Sequence, residues 1–120
     1  TAQRTIETLD LVLPFLDGKP RVRFEDTLYL AEPDALYERL QWIEPDVQTA
    51  MLIGHNPGMH QLAMALARAP KSAAETKLND AMSEKFSTAA LAVLQSAARS
   101  WDDIRSKSCK LQQFVRPRDL

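Results

Sequence analysis

The residues best suited to chemistry lie in one short loop, residues 54–58, with the sequence Gly-His-Asn-Pro-Gly. The chain has three glycines and two histidines, and two of those glycines flank His55 in this loop. An almost continuous apolar run over residues 49–53 precedes the loop, and helically spaced apolar residues follow it. The pattern predicts a buried parallel strand, a tight loop and a helix that begins near Met59. His55 would then lie at the carboxyl end of a strand, where open α/β sheets bind ligands.

A histidine in that position can do several kinds of chemistry. It can donate a hydrogen bond to a phosphoryl oxygen, or it can act as an acid, a base or a nucleophile. The free N–H groups and the positive dipole end of the following helix favour an anion at the same place. The alternative is that His55 only fastens the loop, and the residues alone leave both interpretations open.

The elements before the loop are predicted to be two helices and a short strand. Residues 1–16 carry apolar side chains at helical spacing and indicate the first helix. Residues 21–24 alternate in polarity, which is typical of a strand, and residues 25–32 should form a loop. A second helix should begin at Pro33, since proline suits the first turn of a helix, and end at residues 44–46.

The elements after the loop complete an α/β pattern. A third helix is expected over residues 59–68, and residues 71–85 should form a loop with one weak helical turn. Strands are expected over residues 88–95 and 109–115, with a turn at 101–104 between them. Alternation of helices and strands indicates an α/β layer fold, and the last two strands should form an antiparallel part of a mixed sheet.

Composition narrows the class of protein. The chain has 120 residues, of which 45% are hydrophobic, enough for one domain with a buried core. Its formal net charge of −1 argues against nucleic-acid binding, and no apolar run approaches the roughly 20 residues of a membrane span. Cys109 is the only cysteine, which excludes an internal disulfide and a cysteine-based metal cluster. A reducing compartment, by default the cytoplasm, is therefore expected.

Four stretches of the chain resemble one protein family. Residues 51–58, Met-Leu-Ile-Gly-His-Asn-Pro-Gly, resemble the second-histidine motif of the histidine phosphatase superfamily, which has the phosphoglycerate-mutase-like fold. Residues 1–8 resemble the tail of the superfamily motif that contains Arg-Thr and a further Thr. Residues 85–94 and 114–120 resemble the SixA-type phosphohistidine phosphatase branch. The likeness follows essentially the whole chain in order.

The resemblance implies a three-layer α/β fold with a mixed sheet, flanking helices and a pocket for a phosphoryl group. In that pocket His55 would be a catalytic residue that donates to the phosphoryl group, and Arg4 would grip phosphate oxygens with its planar guanidinium. Asn56 would touch the phosphate or brace the loop, with bracing favoured, and Thr88 would lie near the site. The substrate would be a phosphorylated protein, above all one carrying phosphohistidine, or a small phosphorylated metabolite. No cofactor, metal, nucleic-acid partner or membrane partner is implied.

One defining motif of the superfamily is missing. Its nucleophilic histidine, which becomes phosphorylated, belongs to an Arg-His motif that this chain lacks. Helical spacing from the first residues onward also suggests that an N-terminal strand or strands are absent. We therefore expect residues 1–120 to be a single partial histidine-phosphatase domain that is inactive alone. A sheet position beside residues 51–53 should then be vacant until further residues, a second chain or a domain swap fills it.

Two other functions remain open. A phosphomonoesterase on the same scaffold would need an acid to protonate an alkoxide leaving group, and Glu25, Asp26 and Glu32 lie in the right region without a clear motif. A phosphate-binding or interaction module would use the pocket without catalysis. His60, the other histidine, fits no zinc pattern and is expected to be a solvated helix residue.

Overall fold

The computed structural model describes residues 3–120, and within that range the chain adopts an α/β fold. Four α-helices and two β-strands are joined by loops and short 3-10 turns. In chain order they are α1 Gln3–Val12, α2 Pro33–Gln41, α3 Gly58–Leu66, α4 Ala73–Glu84, β1 Leu91–Gln95 and β2 Lys110–Val115. The predicted fold class and the first three helices are confirmed. In this described part of the chain, no helix has the length and apolar character needed to span a membrane.

The two strands form an antiparallel pair, as the sequence predicted. Leu91 pairs with Val115 at one end and Gln95 pairs with Lys110 at the other, with a register shift between Val93 and Leu94. The residue before β2, Cys109, is tied to the end of α3. Its N–H donates to the Leu66 carbonyl at 2.9 Å, and its own carbonyl accepts from Arg68 N at 2.7 Å. The hairpin is thereby fixed to the helix that follows the glycine loop.

Two apolar clusters form the core, and α3 contributes to both. The first cluster joins α2 and α3 to the segment before β2 and consists of Leu36, Leu62, Leu66, Ile104 and Cys109. The second joins α3 to α4 and β2 and consists of Ala63, Ala67, Met82, Leu111 and Phe114. Burial of these side chains removes apolar surface from water on both sides of α3. The N-terminus of α3, and the loop before it, are therefore held in a defined place.

The structure contradicts the loop expected over residues 71–85, because α4 is a regular helix of 12 residues there. Ser72 caps it, since its Oγ accepts a hydrogen bond from Glu75 N at 3.1 Å. Glu75 is buried, and its Oε1 lies 2.8 Å from Nη2 of Arg68. Met82 is 0% exposed and anchors the helix in the second cluster. The prediction was wrong because these few buried residues are scattered among alanines and charged residues, which obscured the helical period.

The strands expected at residues 21–24 and 49–53 do not form. Within residues 3–120 the single sheet pairs β1 with β2, and neither segment joins it. A strand depends on a partner for its backbone hydrogen bonds, and an apolar or alternating pattern does not supply one. Ion pairs instead tie the first segment and the residue after it to α2 and the residues beyond: Arg21 with Asp46, Arg23 with Glu44, and Glu25 with Arg39.

Candidate functional site

The glycine loop is joined to the residues that precede α2 by a close approach at Gly58. Gly58 is the buried first residue of α3. A side chain at this position would bring its Cβ within 2.5 Å of the Ala31 carbonyl oxygen. No Cβ tolerates so short a distance to a backbone atom, so only glycine allows α3 to begin here. Residues 29–32 and the loop at 54–58 therefore form one continuous surface.

His55 is half-buried on this surface. Its backbone carbonyl accepts a hydrogen bond from Met59 N at 3.1 Å, which starts the helix. Its imidazole ring packs edge-to-face against the ring of Tyr29, with the centroids 5.3 Å apart and the planes at 88°. Among residues 3–120, no protein group forms a hydrogen bond with either ring nitrogen of His55. The imidazole is therefore placed by a ring contact and keeps both nitrogens available for a ligand.

A cavity of about 250 Å³ opens beside His55 at the start of α3. The residues that line it come from the surface just described and from the first turn of the helix: Leu30, Ala31, Glu32, His55, Asn56, Pro57, Gly58 and Gln61. The positive end of the α3 dipole and the imidazole both favour a negatively charged ligand there. A cavity of this kind can bind a small anion such as a phosphoryl group.

The first amides of α3 are less free than the sequence suggested. Met59 N bonds to the His55 carbonyl, and Gln61 N bonds to the Pro57 carbonyl at 3.0 Å. His60 N donates to Oδ1 of Asn56 at 3.2 Å. Most of the hydrogen-bonding capacity offered to a ligand must therefore come from side chains, and His55 is a lining residue whose ring nitrogens have no partner within residues 3–120.

Asn56 braces the loop. Its side-chain Nδ2 donates to the Phe86 carbonyl at 2.7 Å while its Oδ1 accepts from His60 N. Both ends of the amide thus have protein partners, which agrees with the bracing alternative, although the residue also lines the cavity. Direct contact of Asn56 with a phosphate stays a prediction.

His60 is not the solvated helix residue that was expected. Its Nε2 lies 2.7 Å from the Met82 carbonyl oxygen, and its ring packs against Phe86 with the centroids 5.6 Å apart. A carbonyl oxygen can only accept, so Nε2 carries the proton and donates. His60 therefore joins α3 to the end of α4. The sequence prediction was wrong because the partner is a backbone carbonyl 22 residues away.

The other two predicted site residues lie outside the cavity lining. Arg4 is exposed on α1 and lines neither this cavity nor the larger groove described below. Thr88 is exposed two residues beyond Phe86, in the segment that Asn56 holds. A shared anion site of Arg4 and His55, and a place for Thr88 near it, stay predictions.

A second depression, here called the groove, runs from α1 past His55 and has a volume of about 600 Å³. Its walls include Ile6 and Leu9 of α1, Leu13 just after that helix, residues 21–24 and 49–53, Tyr29 and His55. His55 therefore faces two openings, the cavity at the start of α3 and this broader apolar groove. A ligand held at His55 could extend from one into the other.

The three acidic residues considered as proton donors differ in position. Glu25 pairs with Arg39, whose Nε lies 2.6 Å from Oε1, and this hydrogen bond holds the pKa of the Glu25 carboxyl below its ordinary value. Such a group stays ionised and is poorly suited to donate a proton. Asp26 begins a 3-10 turn. Glu32 is exposed and is the acidic residue that lines the cavity with His55.

The described residues contain no cluster of three or more His, Cys, Asp or Glu side chains that could hold a metal ion. His55 and His60 also differ in their surroundings, since His60 is bonded to the Met82 carbonyl. Metal independence of the site stays a prediction that a chelator can test.

Tyr29 is the site residue that sequence reasoning missed. It belongs to the segment 25–32, which was expected only to form a loop. Its importance comes from its ring contact with His55, a residue 26 positions along the chain. An aromatic residue beside leucines gives no local signal of such a contact, so the sequence alone could not have identified it.

Comparison with solved structures places this fold. A protein named as a candidate phosphohistidine phosphatase SixA, from Nakamurella multipartitia, superposes with a TM-score of 0.68 and 23% sequence identity. The match covers 82% of this chain and 59% of that one. At this identity the likeness establishes a shared fold, which is the fold expected from the sequence resemblance.

Comparison with curated sequences identifies relatives whose activity is not described. An uncharacterised protein of Mycobacterium leprae is 33% identical over 100 residues, covering 81% of this chain and 58% of the relative. An uncharacterised protein of Mycobacterium tuberculosis strain H37Rv is 32% identical over 96 residues, covering 80% of this chain and 59% of the relative. The chain thus spans less than two thirds of the length of these relatives. No family model matches it.

Proposed function

We propose that this chain is part of a histidine phosphatase of the SixA type, in which His55 donates a hydrogen bond to the transferred phosphoryl group. The observation that supports this most directly is the half-buried imidazole beside a cavity at the start of α3, with neither nitrogen bonded within residues 3–120. The fold shared with a protein named as a candidate phosphohistidine phosphatase supports the same assignment. The whole protein would act in the cytoplasm on phosphohistidine or on a small phosphorylated metabolite, without metal or cofactor.

The proposed reaction has two steps. A histidine of the superfamily's Arg-His motif, supplied from outside residues 1–120, attacks phosphorus, and the bond from phosphorus to the leaving group breaks. Water then attacks the phosphohistidine intermediate and releases inorganic phosphate. Charge spreads over the three equatorial oxygens in both steps, so fixed donors near them lower the barrier. His55 would be one such donor and Arg4 a second.

Phosphate binding to this chain tests the role of His55 without requiring turnover. Inorganic phosphate is titrated into labelled protein, and the imidazole signals of both histidines are followed by NMR. The His55 signals should move and saturate, while those of His60 should stay, because that ring is held by Met82 and Phe86. Equal shifts at both histidines, or none at His55, would contradict the proposal.

Variants then assign the binding groups. His55→Ala and Arg4→Ala should each weaken phosphate binding, because each removes a donor to the anion. Lys77→Ala is the matched control for loss of a positive charge, since Lys77 is exposed on α4 and lines neither opening. Unchanged affinity in Arg4→Ala would remove that residue from the site and leave His55 in place.

Turnover distinguishes the enzyme from a non-catalytic binding module. The whole protein should release phosphate from phosphohistidine, and His55→Ala should lower kcat by roughly 10²- to 10³-fold, as expected for loss of one transition-state donor. A chelator should have no effect. Phosphate binding without any release would favour the binding module, and loss of activity with chelator would overturn metal independence.

A phosphomonoesterase is the second candidate, and the place of Glu32 favours it. Glu32 lines the same cavity as His55, so its carboxyl group could protonate an alkoxide leaving group there. Glu32→Gln should then slow hydrolysis of an alkyl phosphate much more than hydrolysis of phosphohistidine, whose imidazole leaving group is already basic. Equal effects on both substrates would argue against an acid role for Glu32.

A further inference from the structure

The imidazole of His55 is held in an uncommon way for a residue with a proposed role in catalysis. Histidines that donate or transfer protons are usually oriented by a hydrogen bond to one ring nitrogen, which also fixes the tautomer. In the described part of this chain, the contact that orients His55 is the Tyr29 ring at 5.3 Å. The torsion that turns an imidazole about its Cβ–Cγ bond has broad minima, so without this contact the ring could rotate widely.

We propose that Tyr29 is the positioning residue for His55. Its ring restricts rotation of the imidazole and leaves both nitrogens free, so that a ring N–H can donate to a phosphoryl oxygen while the other nitrogen is available to a second ligand group. A carboxylate in the same place would occupy one nitrogen and add negative charge beside an anionic substrate. This proposal rests on the proposed function of His55 and adds that the Tyr29 ring orients the imidazole toward its ligand.

The backbone around Tyr29 is fixed well enough for this role, although the residue is 52% exposed. Tyr29 N donates to the Asp26 carbonyl at 3.0 Å, and Ala31 N donates to the Leu28 carbonyl at 3.1 Å. Leu28 and Ala31 pack against the first core cluster. Ala31 also meets the glycine at the start of α3, which sets the distance between this segment and the His55 loop.

The contact itself can be measured without any substrate. The carbon-bound ring protons of His55 should shift in the NMR spectrum of Tyr29→Leu, because the neighbouring aromatic ring current is lost. Tyr29→Phe should retain the wild-type shifts, since it keeps the ring and removes only the hydroxyl. Phe15→Leu is the matched control, because Phe15 is an exposed aromatic residue that lines neither the cavity nor the groove. Wild-type His55 shifts in Tyr29→Leu would overturn the proposal.

Phosphate affinity measures the effect of losing the Tyr29 ring on ligand binding at His55. Aromatic pairs contribute enough beyond simple burial that losing this one should weaken inorganic phosphate binding at His55 by about 3- to 10-fold in Tyr29→Leu. Tyr29→Phe should keep wild-type affinity, and Phe15→Leu should not change it. Unchanged amide shifts in β1 and β2 would show that the variant is folded.

The outcomes separate this proposal from the one it rests on. If His55→Ala abolishes phosphate binding while Tyr29→Leu binds like the wild type, positioning by Tyr29 is wrong and the role of His55 stands. If wild-type protein shows no phosphate-induced shift at His55, the proposed function fails, and the positioning role fails with it. Failure of Tyr29→Phe to restore binding would show that the hydroxyl, and not the ring contact, is what matters.

Discussion

At the scale of single residues, the two histidines near the start of α3 differ in role: His60 is hydrogen-bonded to the Met82 carbonyl, whereas the His55 ring has no hydrogen-bond partner within residues 3–120. His60→Ala should lower the free energy of unfolding by about 1–2 kcal/mol, because the Met82 carbonyl loses its donor and the Phe86 contact is lost. Phosphate binding per folded molecule should stay unchanged. Urea unfolding and the phosphate titration measure the two effects separately.

The control for that variant is Lys77→Ala, an alanine substitution at an exposed helical position. It should change stability by less than about 0.5 kcal/mol. A His60→Ala protein as stable as wild type would contradict the role of His60 in joining α3 to α4. A folded His60→Ala protein that no longer binds phosphate would contradict a purely structural role.

Glu25 gives the molecule a predictable response to acid. The hydrogen bond from Arg39 lowers the pKa of the Glu25 carboxyl below its ordinary value, so the folded state holds this proton less tightly than the unfolded chain. The pair therefore stabilises the fold above about pH 5 and loses its contribution as pH falls through the lowered pKa. Because both side chains are partly exposed, we expect a contribution of only about 0.5–1 kcal/mol at pH 7.

Glu25→Gln tests this sign directly. The difference in unfolding free energy between wild type and Glu25→Gln should be present at pH 7 and should shrink as the pH falls through the lowered pKa of Glu25. Glu38→Gln is the control, since Glu38 is an exposed carboxylate on α2. A difference that grows as the pH falls would mean that the pairing does not stabilise the folded state.

At the scale of elements, α4 has a start signal that can be read from the sequence. Ser72 and Glu75 stand three residues apart, the spacing of a capping box, and Ser72 does accept a hydrogen bond from Glu75 N. Ser72→Ala should therefore cost about 1 kcal/mol of unfolding free energy. Ser106→Ala, at an exposed serine in a turn, should cost little. Equal losses in the two variants, measured by urea unfolding, would show that the cap contributes nothing specific.

The sequence predicted α1, α2, α3, β1 and β2, but it missed α4 and wrongly predicted strands at residues 21–24 and 49–53. The helices α1, α2 and α3 have local bonds and local periodicity, so their sequences were sufficient. The apolar run at residues 49–53 has the composition of a buried strand, yet pairing depends on another segment, and within residues 3–120 none pairs with it.

In the candidate site, too, the features that depend on local sequence were predicted and those that depend on distant contacts were not. The loop around His55 and the helix start after it follow from a local motif, and the structure places both as predicted. Tyr29, the His60–Met82 bond and the exposure of Arg4 depend on distant contacts. Local sequence therefore predicted which loop could carry the chemistry. It could not predict which distant side chains would contact and position His55 and its neighbours.

At the scale of the whole molecule, buried apolar area is unevenly distributed. The two core clusters lie among α2, α3, α4 and the strands, whereas none of the described residues of α1 is buried. The groove lies between α1 and residues 49–53, and exposed apolar side chains such as Met51 line it. Regions with few buried contacts open at low free-energy cost, so stability should decrease from α3 toward α1.

Hydrogen exchange of the backbone amides tests this distribution. Amides of α1 and of residues 49–53 should exchange fastest, because the former has no buried residues and the latter has no backbone partner within residues 3–120. Amides of α3 and β2 should exchange slowest, since both belong to the core clusters. Comparable protection of residues 49–53 and β2 in dilute protein would contradict the expected gradient. Repeating the measurement at high protein concentration adds a second comparison: protection of residues 49–53 that increases with concentration would mean that a second chain pairs with this segment.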